Sequence, residues 1–418
     1  MSFRRATVAG AGLAGLSAAV ALAEAGLGVS LSDSAAQAGG RCRSYFDPAL
    51  GLTIDNGNHL VLSGNPAVAA FRAAVGAGEP LAGPDHADFA FADLDSGARW
   101  SVRINDGRVP WWVLDRGRRL PETGIADYLP LARLLRGGSG RIGDLVKPRG
   151  PVWERFAAPV LLAALNTPPA EASAALAGRV LRETLGRGGL AMRPRIAQPT
   201  LAAAFIDPAI AWLEARGTRL ATGRRLRALE FSESHVSALV WNDGRQEVAE
   251  DEAVILAAPA WVARELVPGI TVPNEHRAIV NGHFAFPATP GMPPMLGVLG
   301  GTAEWIFAHA DRISVTVSAA DALAEREREE IAAALWGDVQ RALGISAALP
   351  AWQVVKEKRA TFAATPTQDA LRPSARTRWP NLFLAGDWVR NGLPATVEGA
   401  LRSGDTAARL ALGVPPVY

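Results

Sequence analysis

Short apolar runs bounded by glycine, proline or charged residues recur along the chain and predict buried strands. The first run, Thr7–Ala9, precedes a helix-forming stretch, Leu16–Ala25, which Gly26 and Gly28 end. A second strand is predicted at Val29–Ser32. Strand, helix and strand in this order predict a parallel βαβ unit at the beginning of the chain.

The later chain repeats strand patterns around helical stretches. A helix or pocket wall is predicted at Phe156–Leu165, which is apolar on nearly all sides, and a longer helix at Ala322–Leu343. A loop is predicted at Thr361–Leu371. Further strands are predicted at 219–229, 236–241, 246–249, 253–258, 278–286, 295–299, 304–308, 313–317, 352–360 and 381–385, and a last helix ends near Arg409. Alternating strands and helices predict an α/β fold class.

Glycines between the first strand and helix have the G-x-G-x-x-G spacing of dinucleotide-binding loops. The first allows a tight turn, the second lets the backbone approach a pyrophosphate, and the third lets helix and strand pack closely. The free N–H groups of the helix N-terminus then face the diphosphate. An acidic residue at the end of the second strand is placed to bind a ribose. The predicted contacts are Gly10, Gly12, Leu13, Ala14, Gly15 and Asp33.

The same segment allows a second interpretation. Arg4 and Arg5 precede an uncharged stretch, 6–23, which resembles a signal peptide or a membrane span. Because this stretch is mostly alanine and glycine, its transfer into a bilayer is poorly favoured. A signal sequence also has no need of Asp33, so the dinucleotide-binding interpretation is preferred.

Composition narrows the class of protein. A chain of 418 residues is long enough for two domains. Its net charge of +2 gives no reason to expect a nucleic-acid partner. A single cysteine, Cys42, excludes an internal disulfide and fits a reducing cytoplasm. The histidines show no metal-ligand spacing, so no metal is predicted.

Further motifs carry a family resemblance. Gly39-Gly40-Arg41 follows the acidic strand end, and NLFLAGDWVRNGLPATVEGALRSG occupies 381–404. With the glycine loop, these motifs resemble the amine oxidase and phytoene desaturase superfamily of flavoproteins. The resemblance implies non-covalent FAD between a Rossmann-like FAD-binding domain, discontinuous in sequence, and an α+β substrate domain. The residues it assigns to FAD, beyond the first loop, are Gly39, Gly40, Arg41, Leu226, Gly386, Asp387, Thr396 and Val397.

The predicted domains follow from this amine oxidase-like resemblance. The FAD-binding domain is assigned to 1–75, 200–265 and 372–418. The substrate-binding domain is assigned to 76–199 and 266–371.

Two other segments narrow the resemblance. DNG-x-H-x-x-L at 55–62 and PVWERFAAPVLLAALNTPP at 151–169 are similar to the hydroxysqualene dehydroxylases of bacterial hopanoid synthesis. Membership implies reduction of hydroxysqualene to squalene, with loss of water and hydride transfer from reduced flavin. A carotenoid or phytoene-type desaturase, a soluble amine oxidase and a non-catalytic flavin-bearing lipid carrier are the alternatives.

The proton donor for this reaction has several candidates. His59 is the first choice because a histidine can donate near neutral pH, although a packing or flavin-contact role is equally open. Asp55 either holds His59 or caps the loop. Capping is the plainer interpretation of Glu398, and packing rather than a covalent flavin link is that of Cys42. The chain has no second G-x-G-x-x-G, so NAD(P)H would bind transiently or another reductant would serve.

A basic and aromatic stretch raises the question of membrane contact. Residues 99–155 contain 12 basic and 6 acidic residues and the tryptophans 100, 111, 112 and 153. Such a segment is either an interfacial surface or a solvated helix face beside core tryptophans. Because a C30 substrate is best handed over from a bilayer, peripheral contact with the inner face of the cytoplasmic membrane is predicted.

Overall fold

The computed structural model describes residues 3–78 and 81–418. The strands, in chain order, are β1 (Arg5–Ala9), β2 (Gly28–Ser32), β3 (Ser44–Asp47), β4 (Leu52–Asp55), β5 (Leu60–Leu62), β6 (Ala87–Asp93), β7 (Arg99–Ile104), β8 (Pro194–Ile196), β9 (Leu220–Ala221), β10 (Leu226–Phe231), β11 (Val236–Trp241), β12 (Gly244–Glu247), β13 (Glu252–Leu256), β14 (His276–Phe284), β15 (Met295–Leu299), β16 (Trp305–Ala308), β17 (Ile313–Val317), β18 (Trp352–Phe362) and β19 (Leu382–Leu384).

The helices are α1 (Leu13–Glu24), α2 (Pro66–Ala74), α3 (Leu129–Arg136), α4 (Ile142–Leu145), α5 (Ala158–Leu165), α6 (Ala174–Glu183), α7 (Gly189–Met192), α8 (Asp207–Glu214), α9 (Ala260–Leu266), α10 (Asp321–Ala324), α11 (Arg328–Leu343), α12 (Pro366–Ala370) and α13 (Val397–Ala411). π-Helical turns at Trp153–Ala157 and Ala202–Ile206 precede α5 and α8. In these described residues, no helix has both the length and the apolar character needed to cross a bilayer.

Five parallel strands form the first sheet, in the order β19-β13-β1-β2-β9. Alternate residues of β13 enter two different cores: Ala253 and Ile255 pack beneath α1 and α13, whereas Val254 and Leu256 face the β10–β12 sheet. Burial on both faces explains why the residues of β1, β13 and β19 are apolar apart from Thr7 and the first residues of two strands, Arg5 and Glu252. The α/β fold class is therefore confirmed.

The second sheet has the order β18-β14-β17-β16-β15-β6-β7 and is antiparallel except between β15 and β6. Ile313 and Val315 of β17 pack against α11, whereas Ser314 and Thr316 lie on the opposite face. This alternation follows from the two-residue period of a strand. One face of the sheet is thus a core, and the other is available to line a site.

Two element predictions need correction. The helix predicted at 322–343 is broken between α10 and α11, where Lys358 pairs with Glu325 at 2.7 Å and Lys356 Nζ donates to the Arg326 carbonyl. That carbonyl would otherwise accept from the next helical turn. The loop predicted at 361–371 contains α12, whose N-cap is Thr365.

Helices α1 and α13, from opposite ends of the chain, pack in direct contact. Ser17 Oγ donates to the Leu401 carbonyl at 2.9 Å. A Cβ added to Gly404 would overlap the Ala14 carbonyl and lie 2.8 Å from Ser17 Cβ. The helices approach this closely because position 404 has no side chain.

We therefore expect Gly404→Ala to lower the free energy of unfolding by about 1–3 kcal/mol, the usual cost of overpacking. Gly337→Ala is a matched control, because Gly337 also lies within a helix but no atom lies within 4 Å of its added Cβ. It should be neutral or stabilising by up to about 1 kcal/mol. Urea unfolding of the two variants gives the comparison, and equal stabilities would contradict the packing argument.

Candidate active site

A cavity of about 990 Å³ begins at the carboxyl ends of β1, β2 and β13 and extends across the inner face of the second sheet. Ligands of open parallel sheets bind at this end of the strands. The predicted cofactor residues that line the cavity are Gly10, Gly12, Leu13, Ala14, Asp33, Gly39, Gly40, Arg41, Leu226, Gly386, Asp387, Thr396 and Val397. Sequence motifs some 370 residues apart therefore border one space.

The glycine loop has the close backbone approaches that its spacing predicts. Gly10 has φ +115°, and an added Cβ would lie 2.9 Å from the Ala257 carbonyl carbon. Gly15 is not a lining residue; it packs beneath the loop, where its Cβ would lie 2.9 Å from the Gly10 carbonyl carbon. Gly12 has no atom within 4 Å of an added Cβ and faces open space. The loop is a cradle that a diphosphate can fill.

Asp33 supports this loop from the end of β2. Its carboxylate accepts the Ala11 N–H at 2.7 Å and the Ala35 N–H at 2.8 Å. Asp33 therefore fixes the backbone of the glycine loop and of the turn after β2, and its direct ribose contact stays a prediction. Each oxygen can still accept a second hydrogen bond.

Arg41 joins the GGR loop to the C-terminal strand end. Its Nη2 donates to Asp387 Oδ1 at 2.6 Å, and Nη1 donates to the Ala360 carbonyl. The Arg41 side chain is 41% exposed and that of Asp387 only 7%, so the pair lies at the cavity wall. Both residues were predicted to contact FAD. Their contact with each other was not predicted, because they are far apart in the sequence.

The C-terminal segment is fixed by its own polar side chains. Ser403 Oγ accepts the Gly386 N–H at 3.0 Å, and Trp388 Nε1 donates to the Ala258 carbonyl at 2.9 Å. Thr396 caps α13 by accepting the Gly399 N–H at 3.0 Å. The N-terminus of α13 therefore lies at the cavity, as does the N-terminus of α1.

His59 lines the cavity, but its protonation differs from the expectation. Burial, reinforced by the Arg41 charge, lowers the pKa of His59 to about 4. The imidazole is therefore neutral near pH 7. A neutral imidazole counts against His59 as the proton donor, and its catalytic role stays a prediction.

Asp55 does not hold His59. It is buried outside the cavity lining, where it accepts from Ser44 Oγ at 2.5 Å and from Leu201 N at 2.9 Å. Arg312 Nη2 lies 3.6 Å from its second oxygen. Asp55 thus connects β4, the 200–206 turn and the second sheet, and these contacts count against its predicted catalytic role.

Two other candidates have structural roles. Glu398 accepts the Ala67 and Val68 N–H groups at 3.1 and 3.0 Å, so it caps α2 rather than its own helix. Burial raises the pKa of Cys42 to about 12, so its thiol stays protonated. Within residues 3–78 and 81–418, no group of three or more histidine, cysteine or acidic residues could hold a metal ion.

The far part of the cavity is an apolar chamber with a few polar groups. The α5 wall contributes Val160, Leu161, Ala163 and Ala164, which agrees with the pocket wall predicted at 156–165, and the second sheet contributes Ile279, Met295, Trp305 and Phe307. Polar residues that sequence reasoning missed also line it: Asn58, Asn166, Asn281, Thr316, Ser318 and Thr361. The alternation of β17 and the asparagine of LNTPP are the signals that could have revealed them.

The chain matches the family of flavin-containing amine oxidoreductases over residues 13–412. It is 51% identical over 409 residues to the hydroxysqualene dehydroxylase of Rhodopseudomonas palustris, with 97% of each chain covered. It is 50% identical over 406 residues to that of Sinorhizobium fredii, with the same coverage. A flavin cofactor and oxidoreductase chemistry follow from these matches.

The fold is similar to that of an oxidoreductase from Methanosarcina mazei, with a TM-score of 0.71 and 16% sequence identity. The similarity covers 96% of this chain and 98% of the other. The fold is also similar to that of the cyclohexylamine oxidase from Brevibacterium oxydans, with a TM-score of 0.70, 14% sequence identity, and coverage of 98% of this chain and 99% of the other. The amine oxidase-like fold is therefore confirmed.

We expect Asp387→Asn to weaken flavin retention and to lower the free energy of unfolding by about 1–3 kcal/mol, because it leaves the Arg41 charge without its partner. Asp251→Asn is the matched control: its partner Arg5 also lies at 2.6 Å, but both side chains are exposed. The control should leave stability and flavin content close to those of the unsubstituted protein, because an exposed ion pair contributes little. Flavin content per protein and thermal unfolding measure both effects; equal effects of the two variants would contradict the assignment.

Proposed function

This chain belongs to the flavin-containing amine oxidoreductase family, and we propose that it reduces hydroxysqualene to squalene with loss of water. The observation that carries the proposal is the near full-length identity of about half to hydroxysqualene dehydroxylases from two bacteria. The apolar chamber beside the cofactor cradle supports it, because a polyisoprenoid needs such a lining.

The cofactor in this proposal is FAD, held non-covalently. A dinucleotide suits the two helix N-termini of α1 and α13, because both present free N–H groups to the cavity. The protonated Cys42 thiol is a poor nucleophile and gives no support to a covalent link. FAD, when bound in its reduced form, would supply the hydride. The protein orients the substrate, excludes water from the chamber and supplies one proton.

The chamber residues orient a chain that carries one hydroxyl group. Apolar side chains from α5, β15 and β16 accept hydrocarbon without preference for register. The amide and hydroxyl groups at 58, 166, 281, 316, 318 and 361 are grouped along β14, β17 and their neighbours, where they can bind the substrate hydroxyl. A hydrogen bond to the substrate hydroxyl thereby fixes which carbon of the isoprenoid chain lies beside the cofactor.

Substrate delivery from a membrane is part of the proposal. Moving a C30 chain through water would cost on the order of 20 kcal/mol at about 0.8 kcal/mol per carbon. The surface of residues 108–149 exposes large apolar side chains beside arginines that suit an anionic bilayer. We call it the docking surface; its exposed members are Val109, Trp111, Leu114, Ile125, Leu129 and Leu145, with Arg108, Arg116, Arg133, Arg136, Arg141, Lys147 and Arg149.

The docking surface continues toward the chamber. Gly189 N donates to the Asn105 carbonyl at 2.7 Å, which holds α7 against the chain that leads to Val109. In α7, Leu190 is exposed, whereas Met192 is buried and lines the cavity. One short helix therefore joins the exposed apolar surface to the chamber wall. NAD(P)H in a transient complex, or another carrier, is the proposed reductant.

Anaerobically reduced flavoprotein should be reoxidised by hydroxysqualene with formation of one squalene per flavin. Flavin absorbance and extraction of the product measure the two quantities together. Absence of reoxidation by hydroxysqualene, combined with turnover of phytoene or an amine, would exclude the proposed reaction. Reoxidation without squalene would exclude it as well.

For the docking surface, we expect Trp111→Ser with Leu114→Ser to weaken binding to anionic liposomes by about 100-fold, since each lost apolar contact is worth roughly 1.5 kcal/mol. Phe46→Ser is the control, because Phe46 is also exposed but lies in β3. Neutralising Arg133, Arg136 and Arg141 should weaken binding to anionic liposomes more than to neutral ones. Liposome flotation that finds all variants equal to the unsubstituted protein would contradict this surface.

A further inference from the structure

The proposed reaction needs one proton, and the structure counts against both sequence-predicted donors. His59 is neutral near pH 7, and Asp55 lies outside the cavity lining. Six acidic residues line the cavity: Asp33, Glu183, Glu265, Glu357, Asp387 and Glu398. Glu183 and Glu398 bind Arg402, and Asp387 binds Arg41. Asp33 accepts two backbone N–H groups, Glu357 accepts from Asn56 Nδ2 at 3.4 Å, and Glu265 is exposed to solvent. Burial acts against ionisation of Glu183, but its hydrogen bond with Arg402 outweighs burial and lowers the pKa of Glu183, which makes it a poor acid.

Glu304 differs from these carboxylates in its surroundings. It directly precedes β16, is partly buried behind the chamber wall, and accepts the Ser318 N–H at 2.7 Å. In the described part of the chain, no cation forms an ion pair with it. Burial raises the pKa of Glu304 to about 7, although hydrogen bonds from Ser318 act in the opposite direction. The carboxyl group is thus a proton reservoir near neutral pH.

Ser318 connects this carboxyl group to the chamber. It is buried, lines the cavity, and interacts with Glu304 through its side chain as well as its backbone. The other chamber polar groups are engaged with one another: Thr316 Oγ1 donates to Asn281 at 2.8 Å, and Asn58 Nδ2 donates to Thr316 at 3.0 Å. The Ser318 hydroxyl therefore lies between the chamber and the Glu304 carboxyl group.

The turn that carries Ser318 is fixed from its other side by Asn166. Asn166 Oδ1 accepts the Ala319 N–H at 2.6 Å, and its Nδ2 donates to Thr361 Oγ1 at 2.9 Å. Both Asn166 and Ala319 have positive φ, of 46° and 44°. Non-glycine residues adopt this conformation only when surrounding contacts hold them there. The asparagine of the LNTPP segment thus positions the Ser318 hydroxyl.

We propose that Ser318 protonates the leaving hydroxyl of the substrate and that Glu304 replaces this proton through Ser318. The proposal rests on the proposed function. In this step the Ser318 O–H bond breaks as a proton joins the substrate oxygen, the C–O bond breaks with its electron pair leaving as water, and Glu304 gives its proton to Ser318. Reduced flavin, when bound, would supply the hydride that the allylic carbon accepts. Partial exposure of Glu304 lets solvent return one proton per turnover.

Neighbouring charges leave Glu304 to titrate by itself. On β14, Arg277 lies near Glu171 and Asp321, at 3.9 and 3.7 Å. On α11, Asp338 accepts the Thr302 and Ala303 N–H groups and pairs with Arg341. Burial and Ser318 are the causes that act on the Glu304 pKa. A single ionisation near pH 7 should therefore control proton delivery.

The test is single-turnover reoxidation of reduced holoenzyme by hydroxysqualene, followed from pH 5.5 to about 9. Since the protonated carboxyl group is the active form, the wild-type rate constant should fall above about pH 7. Glu304→Gln should lower the rate constant by about 100-fold or more and abolish this pH dependence. Ser318→Ala should be as slow, whereas Ser318→Thr keeps a hydroxyl and should retain most of the rate.

Asp338→Asn is the matched control, because it removes another buried carboxylate that holds the same turn before β16. It should lower stability while keeping the wild-type pH profile. Infrared titration gives a second readout: a protonated carboxyl band that disappears near pH 7 and is absent in Glu304→Gln. If Glu304→Gln does not retain flavin, the rates of Ser318→Ala and Ser318→Thr are compared instead. Equal rates of these two variants would contradict the role of the Ser318 hydroxyl.

A wild-type rate or an unchanged pH inflection in Glu304→Gln would overturn this inference and leave the proposed function intact. Failure of the wild-type protein itself to react with hydroxysqualene would instead overturn the proposed function and the inference with it. A control variant that also loses the pH dependence would show that the turn, and not the Glu304 proton, is responsible.

Discussion

The close contact between α1 and α13 is the constraint on which the cofactor cradle depends. Both helices begin at the cavity, so their N–H groups converge only if the helices lie side by side, and Gly404 makes that approach possible. The Arg41–Asp387 pair fixes the same arrangement at the level of the loops. A chain that must bring residues 10 and 396 to one ligand needs these long-range contacts, because no local interaction can impose the geometry.

The second constraint is the scarcity of polar groups in the chamber. A buried hydroxyl or amide without a partner is costly, so the polar residues of the inner sheet face are bonded to one another or to backbone. Asn166 alone satisfies Ala319, Thr361 and the Arg277 carbonyl. An arrangement of this kind is rigid. It can present one hydroxyl at a defined place while the surrounding hydrocarbon surface leaves the isoprenoid chain free to adapt.

Sequence patterns predicted the features that depend on local chemistry. The glycine loop, the β10–β13 order and the apolar α5 wall follow from spacing and periodicity within short segments. Features that depend on distant contacts were not predicted from the sequence. The break before α11 depends on two lysines of β18, the neutrality of His59 on burial beside Arg41, and the position of Asp55 on Leu201 and Arg312. None of these partners is near its target in sequence.

Glu304 illustrates why a titratable residue is hard to identify from sequence as a proton donor. Before β16 it resembles any exposed glutamate at a strand end, and only the fold brings it behind Ser318. The same burial that raises its pKa would destabilise a protein if the group were always charged, so the site is tolerable because the carboxyl group can hold a proton. A chamber that excludes water for a hydrophobic substrate therefore also creates the acid that the proposed reaction requires. Substrate binding and proton supply would then have one physical origin, the low polarity of the wall that separates Glu304 from the isoprenoid chain.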